Sequence, residues 1–339
     1  MTNRQWALAR HPSGMPVAGD WAMREVAVPS PEAGQVLCRS IYLDVAPYMR
    51  GRISPQKNYA AGVSPGDTMI GGAIAEVVES RIDGIAPGQL VVSDFNFGWQ
   101  EFACLQANDF RLVDPEAGPL RAWLDVLGLN GVTAYFGLLE RGAMRAGDTV
   151  LVSAASGSVG QLVGQIAKIA GGKVIGVTSS AQKALELHGF GYDHAIAYQT
   201  TRDLSAAIAA AAPKGIDLFF DNTAGEIHDA VMQNLAPQAR IVICGTVSLA
   251  GKFDEPDIGQ RFLRQILVAR AEVKGFLAVD YAAHYPIARR RLGAWMRESK
   301  LQSRYDIAEG FDAVPDAFIR LLTSQNTGKQ LVQVRPEPD

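Results

Sequence analysis

The stretch LVSAASGSVGQLVGQIAKIAGGKVIGVTSSAQK, Leu151 to Lys183, sets Ser156-Gly157-Ser158 and Gly160 between an apolar strand pattern and a long helical one. Small residues at such a turn let the backbone approach a pyrophosphate, while the next helix offers unpaired N–H groups to its negative charge. Ala154, Gly157 and Gly160 spell AxxGxxG, a relaxed form of GxGxxG that alone would fit an ordinary turn. Its place between a strand and a helix in an alternating chain favours a dinucleotide site. Ser156, Gly157, Val159 and Gly160 are the candidate contacts.

Which dinucleotide follows from the end of the second strand. An NAD site usually carries Asp or Glu there for the ribose diol, but this chain reads Thr178-Ser179-Ser180, with Lys183 one turn on. No carboxylate stands there to repel a 2′-phosphate. Hydroxyls of Thr178 and Ser180 can donate to it and the ammonium of Lys183 adds charge, so NADP(H) is expected. A plain helix cap at Ser180 and an exposed lysine form the competing account.

These residues need a frame. The 339 residues are 48% hydrophobic and 20% charged, the profile of a soluble chain of about two domains. A net charge of −3 and the lack of a basic run argue against nucleic acid. Cys38, Cys104 and Cys244, odd in number and far apart, fit free thiols in a reducing compartment. Residues 1–20 do not read as a secretory leader, and no apolar run reaches about 18 residues, so a cytoplasmic protein without a membrane span is expected.

Before residue 125, short β-type segments such as QVLCRSIYL, GGAIAEVVES and QLVVSDF are divided by Pro and Gly clusters, as in an irregular β-rich barrel. From about 147, six apolar segments alternate with helical ones: DTVLVSAA, KVIGVTS, DHAIAY, IDLFFDNTA, ARIVICGT and EVKGFLAVD. That alternation predicts an α/β fold with a doubly wound parallel Rossmann sheet. A final helix and strand, VPDAFIRLLTSQNTGKQLVQV, can return to the first domain. The run Arg289-Arg290-Arg291 reads as a solvated helix face, with Ile287, Leu292 and Trp295 as the apolar stripe. Asp221 and Glu226 suit a strand-end loop and a helix N-terminus better than an acid/base pair.

NRQWALAR, YMRGR, GWQEF, GLNGVTAYFGLLERG, GQIAKIAGGKVIGV, DNTAGE and GKQLVQV, spread over essentially the whole chain, resemble the zinc-independent medium-chain dehydrogenases/reductases of the prostaglandin/leukotriene reductase and alkenal/one double-bond reductase group. The resemblance implies a substrate-binding domain made from residues 1–125 and 301–339, around an NADP-binding domain of residues 126–300. It also implies NADPH and a homodimer. By matching motifs it assigns cofactor contacts to Thr133, Tyr198, Asn222, Cys244, Thr246, Phe276, Leu277 and Asn326, and a place near the nicotinamide to Tyr48. The family usually has a second tyrosine where this chain has Ala250, which leaves the proton donor open.

Zinc enzymes of the same superfamily need a Cys in the early barrel, a Gly-His-Glu segment and a later Cys, or four close Cys. SIYLDVAPYMRG has no Cys and MIGGAIAEVVE no His-Glu, so no metal is expected. A metal-free hydride addition to an enone moves charge onto the carbonyl oxygen, where a hydroxyl must receive it, and Tyr48 is the first candidate for that donor, with a packing tyrosine as the alternative. Three functions fit: NADPH-dependent reduction of the carbon–carbon double bond of an α,β-unsaturated ketone or aldehyde, reduction of a quinone at the same cofactor site, and NADPH binding without catalysis.

Overall fold

The computed structural model describes residues 2–338 and divides them into two compact units. One unit comprises residues 2–124, 250–255 and 305–338, the other 125–249 and 256–304.

The second unit carries a six-stranded parallel sheet. Its strands are β1 (Thr149–Ser153), β2 (Lys173–Thr178), β3 (His194–Ala197), β4 (Ile216–Asp221), β5 (Leu235–Ile243) and β6 (Glu272–Gly275). Their spatial order is β3-β2-β1-β4-β5-β6, the doubly wound arrangement whose order reverses beside β1 and β4. Val150, Leu151 and Val152 of β1 and Leu218, Phe219 and Phe220 of β4 are wholly buried, because helices cover both faces of the central strands. Short polar caps start those helices: Ser180 accepts from the Lys183 N–H, and Asp203 from the Ala206 N–H ahead of the alanine-rich helix Leu204–Ala211.

The β6 strand is shorter and more exposed than a buried sixth strand would be. It ends at Gly275, so Phe276 and Leu277 lie beyond it, Phe276 buried and Leu277 exposed. The helix Tyr285–Arg297 buries Ala288, Leu292 and Trp295, and Ile287 points to solvent, one residue out of phase with the expected stripe. Its arginines are not simply solvated. Arg289 donates to the Leu127 carbonyl at 2.9 Å, and the Arg291 guanidinium lies 5.0 Å from the Trp295 ring centre.

The first unit is built on a seven-stranded mixed sheet around Gln35–Asp44, plus the antiparallel pair Thr2–Leu8 and Trp21–Ala27. The chain's end joins it: Lys329–Gln333 pairs antiparallel with Gln35–Asp44 and parallel with Tyr305–Glu309. A buried ion pair between Lys329 and Asp44 fixes that junction. Phe318 packs edge to face on both Trp21 and Trp99, which anchors the helix Val314–Leu322. Among the described residues no helix is long and apolar enough to cross a membrane.

At the carboxyl edge of the parallel sheet the strand ends are in register: Ala197 opposite Thr178, Phe220 opposite Val152, Asp221 opposite Ile243, and Ile243 opposite Gly275. Asp221, fully buried, ties this edge together. Its Oδ1 accepts from Ser153 Oγ at 2.9 Å and from the N–H groups of Thr223 and Ala224 at 2.9 and 3.0 Å. Its carbonyl accepts from Cys244 and Gly245, and its Oδ2 meets His228 Nδ1 at 2.9 Å. Burial pulls the His228 pKa down, but the hydrogen bond and charge of Asp221 outweigh it and hold the imidazole above its usual value.

A folded pKa above the unfolded one stabilises the fold fully below the unfolded value of 6.5, and the stabilisation fades as pH rises through the folded value. The difference in unfolding free energy between wild type and His228→Asn, from urea titrations, should therefore shrink between about pH 6 and about pH 9. A difference that stays flat across that range would show that the pair contributes no charge-linked stability.

Candidate active site

The turn after β1 is shaped by contacts that a larger side chain would break. Ala154 takes a left-handed φ of +47°, and its carbonyl accepts from the Gly157 N–H at 2.9 Å. Gly157 caps the helix Ser158–Ile169. A Cβ on Gly160 would stand 2.3 Å from the Ala154 carbonyl oxygen and 2.7 Å from the Ala155 Cα, so glycine is required for helix and turn to approach. The same fit repeats one turn on, where Gly164 faces the Tyr192 ring, and the Tyr192 hydroxyl donates to the Gly160 carbonyl at 2.7 Å.

Side chains around this turn hold it in place. Ser156 Oγ and Thr178 Oγ1 are 2.6 Å apart, joining the loops that leave β1 and β2. Ser158 Oγ and Ser303 Oγ both donate to the buried carboxylate of Asp125, and Asn130 Nδ2 reaches the same group at 3.1 Å. Asp125 is a residue that the sequence reading missed. Its only signal is a lone aspartate between apolar residues in WLDVLGL, just ahead of the helix Leu129–Tyr135.

Most of the expected cofactor contacts gather at this carboxyl edge. Ser156, Gly157, Val159 and Gly160 form the turn and first helical residues; Thr178 ends β2, and Ser180 and Lys183 open the next helix. The Ser180 oxygen is engaged as the helix cap, and its hydroxyl hydrogen remains to be donated. Tyr198 follows β3, half-buried. Asn222 follows β4 and binds Ser153 twice, through its N–H to Oγ and its Nδ2 to the carbonyl, each at 2.8 Å. Cys244 and Thr246 follow β5; burial, with Asp221 nearby, pushes the Cys244 thiol up to about 12, so it stays an unreactive thiol. Phe276 packs against Gly137 on the turn beyond Tyr135, and Thr133 lies half-buried on the helix Leu129–Tyr135.

The catalytic candidate lies in the other unit. Tyr48 precedes the short helix Met49–Arg52, its ring set edge to face with Phe95 at 5.6 Å. Its hydroxyl oxygen is enclosed and has no hydrogen-bond partner among the described residues, while burial and then the charge of Asp44 push its pKa well above the usual tyrosine value. Tyr48 is thus a protonated donor. Asn326, in the same unit, is buried and donates through Nδ2 to the Gly328 carbonyl at 2.9 Å. Asp221 is spent in structural hydrogen bonds and Glu226 is exposed, so they do not form an acid/base pair.

Two family models match this chain, one described as the N-terminal domain of oxidoreductase over residues 4–113, the other as zinc-binding dehydrogenase over residues 158–290. Despite that second description, no group of three or more His, Cys, Asp or Glu among the described residues could hold a metal ion. The chain is 38% identical to the NADPH-dependent curcumin reductase of Escherichia coli, covering 98% of this chain and 97% of that one. It is 34% identical to the NADP(+)-dependent 2-alkenal reductase of Nicotiana tabacum, over 99% of both. The crystal structure of CurA from Vibrio vulnificus in complex with NADPH superposes with a TM-score of 0.93 at 34% identity, covering 98% of this chain and all of that one. The chain is an oxidoreductase and belongs to the zinc-independent group of the medium-chain dehydrogenase/reductase family, alongside the curcumin, prostaglandin and 2-alkenal reductases.

Proposed function

We propose that this protein reduces the carbon–carbon double bond of α,β-unsaturated ketones or aldehydes with NADPH. The observation that carries the reading is the enclosed, protonated and unpartnered hydroxyl of Tyr48, a donor with no acceptor of its own. A buried hydroxyl without a partner costs about 1–3 kcal/mol, and a carbonyl oxygen that gains charge during reaction is the acceptor that recovers most.

The residues of the second unit fit an NADP(H) cofactor. The Gly160 approach, the open N–H groups at the start of Ser158–Ile169 and the Ser156–Thr178 pair would cradle the pyrophosphate. Thr178, Ser180, Lys183 and Tyr198 would surround the adenosine phosphate. Asn222, Cys244, Thr246, Phe276 and Leu277, with Thr133 from its helix, would hold the nicotinamide end. When bound, the cofactor supplies a hydride to the β-carbon. The chain's part is to orient the substrate oxygen on the Tyr48 hydroxyl and to withhold water from it. Residue 250 is alanine, so a side chain at that position supplies no second donor.

The division into substrate-binding (1–125 and 301–339) and cofactor-binding (126–300) parts belongs to this proposal, as does action in the cytoplasm. A homodimer is also part of it. The β6 strand is the free edge of the parallel sheet, and beside it in sequence Leu263, Leu267, Val268 and Val273 are exposed large apolar side chains. A second copy laid edge to edge on β6 would pair the strand and cover that surface.

Three measurements test the proposal. Lys183→Ala should weaken NADPH about tenfold or more and leave NADH nearly unchanged, because only NADPH carries the 2′-phosphate; equal loss for both would overturn the assignment. Tyr48→Phe should lower kcat and kcat/KM on a simple enone together by about ten- to a thousandfold, with NADPH affinity kept. An unchanged kcat would remove Tyr48 from the chemistry, and faster turnover of a quinone than of any enone would favour the quinone reductase. Turnover of neither, despite tight NADPH binding, would favour a non-catalytic protein. Leu267→Asp should convert a dimer to a monomer in light scattering; a wild type that already runs as a monomer would exclude the dimer.

A further inference from the structure

The two oxygens of the buried Asp221 carboxylate are served unequally. Oδ1 accepts from Ser153 Oγ, from the N–H groups of Thr223 and Ala224 and, at 3.2 Å, from Thr223 Oγ1. Oδ2 has a single donor among the described residues, His228 Nδ1. That imidazole is kept in place by Phe219 of β4 and by Phe262, whose ring centres lie 6.0 and 6.1 Å from its own. A buried carboxylate oxygen without a donor is costly, so removing the imidazole makes the group turn or take up a proton. Either response disturbs what Oδ1 holds.

Oδ1 holds a strained loop. Ala224 has φ +60° and ψ −159°, a backbone geometry adopted almost only by glycine, and Gly225 follows at φ +61°. Such a conformation persists only where its surroundings fix it. Here Asp221 binds the Ala224 N–H, and the Thr223 carbonyl accepts from Ser248 twice, from N–H at 3.1 Å and from Oγ at 2.5 Å. The Val247 N–H reaches the Asn222 carbonyl at 3.4 Å. The loops after β4 and β5 are sewn together, and Asp221, steadied by His228, anchors both.

We infer that His228 is a positioning residue for the nicotinamide half of NADPH, acting through Asp221 on the loops that carry Asn222, Cys244 and Thr246. This rests on the reading above that those loops meet the nicotinamide end. Thr178, Ser180, Lys183 and Tyr198, which the same reading sets around the adenosine phosphate, make none of the bonds just named. His228 therefore bears on one half of the cofactor and leaves the other alone.

The test compares wild type with His228→Leu and His228→Ala, which remove the donor with and without filling its space, and with His228→Asn, whose Nδ2 can stand where Nδ1 does. Calorimetric titration should show NADPH bound about five- to tenfold more weakly by whichever donorless variants fold, and within about threefold of wild type by His228→Asn. Adenosine 2′,5′-bisphosphate, which lacks the nicotinamide half, should bind all of them within about twofold of wild type. In the free protein, amide hydrogen exchange over 222–225 and 244–248 should speed up in the donorless variants and return towards wild type in His228→Asn, because exchange reads local opening without any cofactor. Unchanged exchange, equal losses for the two ligands, or no rescue by asparagine would overturn the inference. Faster exchange with NADPH affinity unchanged, both there and in Thr246→Ala, would defeat the reading that sets the nicotinamide on these loops, and the inference with it.

Discussion

The carboxyl edge of the parallel sheet depends on one buried residue, Asp221. A parallel sheet ends in a row of loops that leave the strands in different directions, and nothing in the strand ladder holds those loops to one another. Asp221 supplies the missing connection: its side chain gathers Ser153 from β1, the loop after β4 and His228, while its carbonyl receives the first two N–H groups beyond β5. A carboxylate at full burial would be costly on its own, and several hydrogen bonds, the one with the His228 ring among them, offset that cost. Thr223 and Ala224 are fixed by the carboxylate and Cys244 and Gly245 by the carbonyl of this one residue, while Asn222 binds Ser153, which itself donates to Asp221.

The turn after β1 depends on size rather than charge. Glycine at 160 admits the helix to the Ala154 carbonyl, and Gly164 admits the Tyr192 ring, whose hydroxyl then binds back to Gly160. Ser158, although it begins the helix, is committed to Asp125, so on the proposed cofactor reading the backbone N–H groups and Ser156 would be left to meet an anion there. An acidic group just behind the helix start is no obstacle to a phosphate while the hydroxyls of Ser158 and Ser303 and the amide of Asn130 absorb its charge.

What the sequence made legible follows from range. The six parallel strands stand out because strands covered on both faces must be continuous apolar runs, and the turn glycines stand out because their steric reason is local. The strand Tyr305–Glu309 is silent: YDIAE is half-exposed and poor in β-branched residues, and it exists through its pairing with Lys329–Gln333. Ile287 and Ala288 differ by one step of helix phase, and hydrophobicity alone selects the larger residue, although it is Ala288 that the helix buries and Ile287 that it exposes. Asp125, Asp221 and Arg50 act on partners as far as about 200 positions away, as Arg50 does on Ala250, and no periodicity encodes such a contact.

Two tyrosines show how differently one side chain can be used. Tyr192 and Tyr48 both have hydroxyls shielded from water, and burial raises both pKa values, so each is a donor at any physiological pH. The Tyr192 donor is consumed by the Gly160 carbonyl and serves the fold. The Tyr48 donor is unconsumed among the described residues, its ring set edge to face against that of Phe95. A fold that satisfies the hydroxyl of Tyr192 and leaves that of Tyr48 open carries a local cost in the free state, which is returned only when an acceptor arrives. Stabilisation of that kind grows as negative charge builds on the acceptor, so on the enone reading it is larger in the transition state than in the bound ground state, and that difference is what accelerates a reaction.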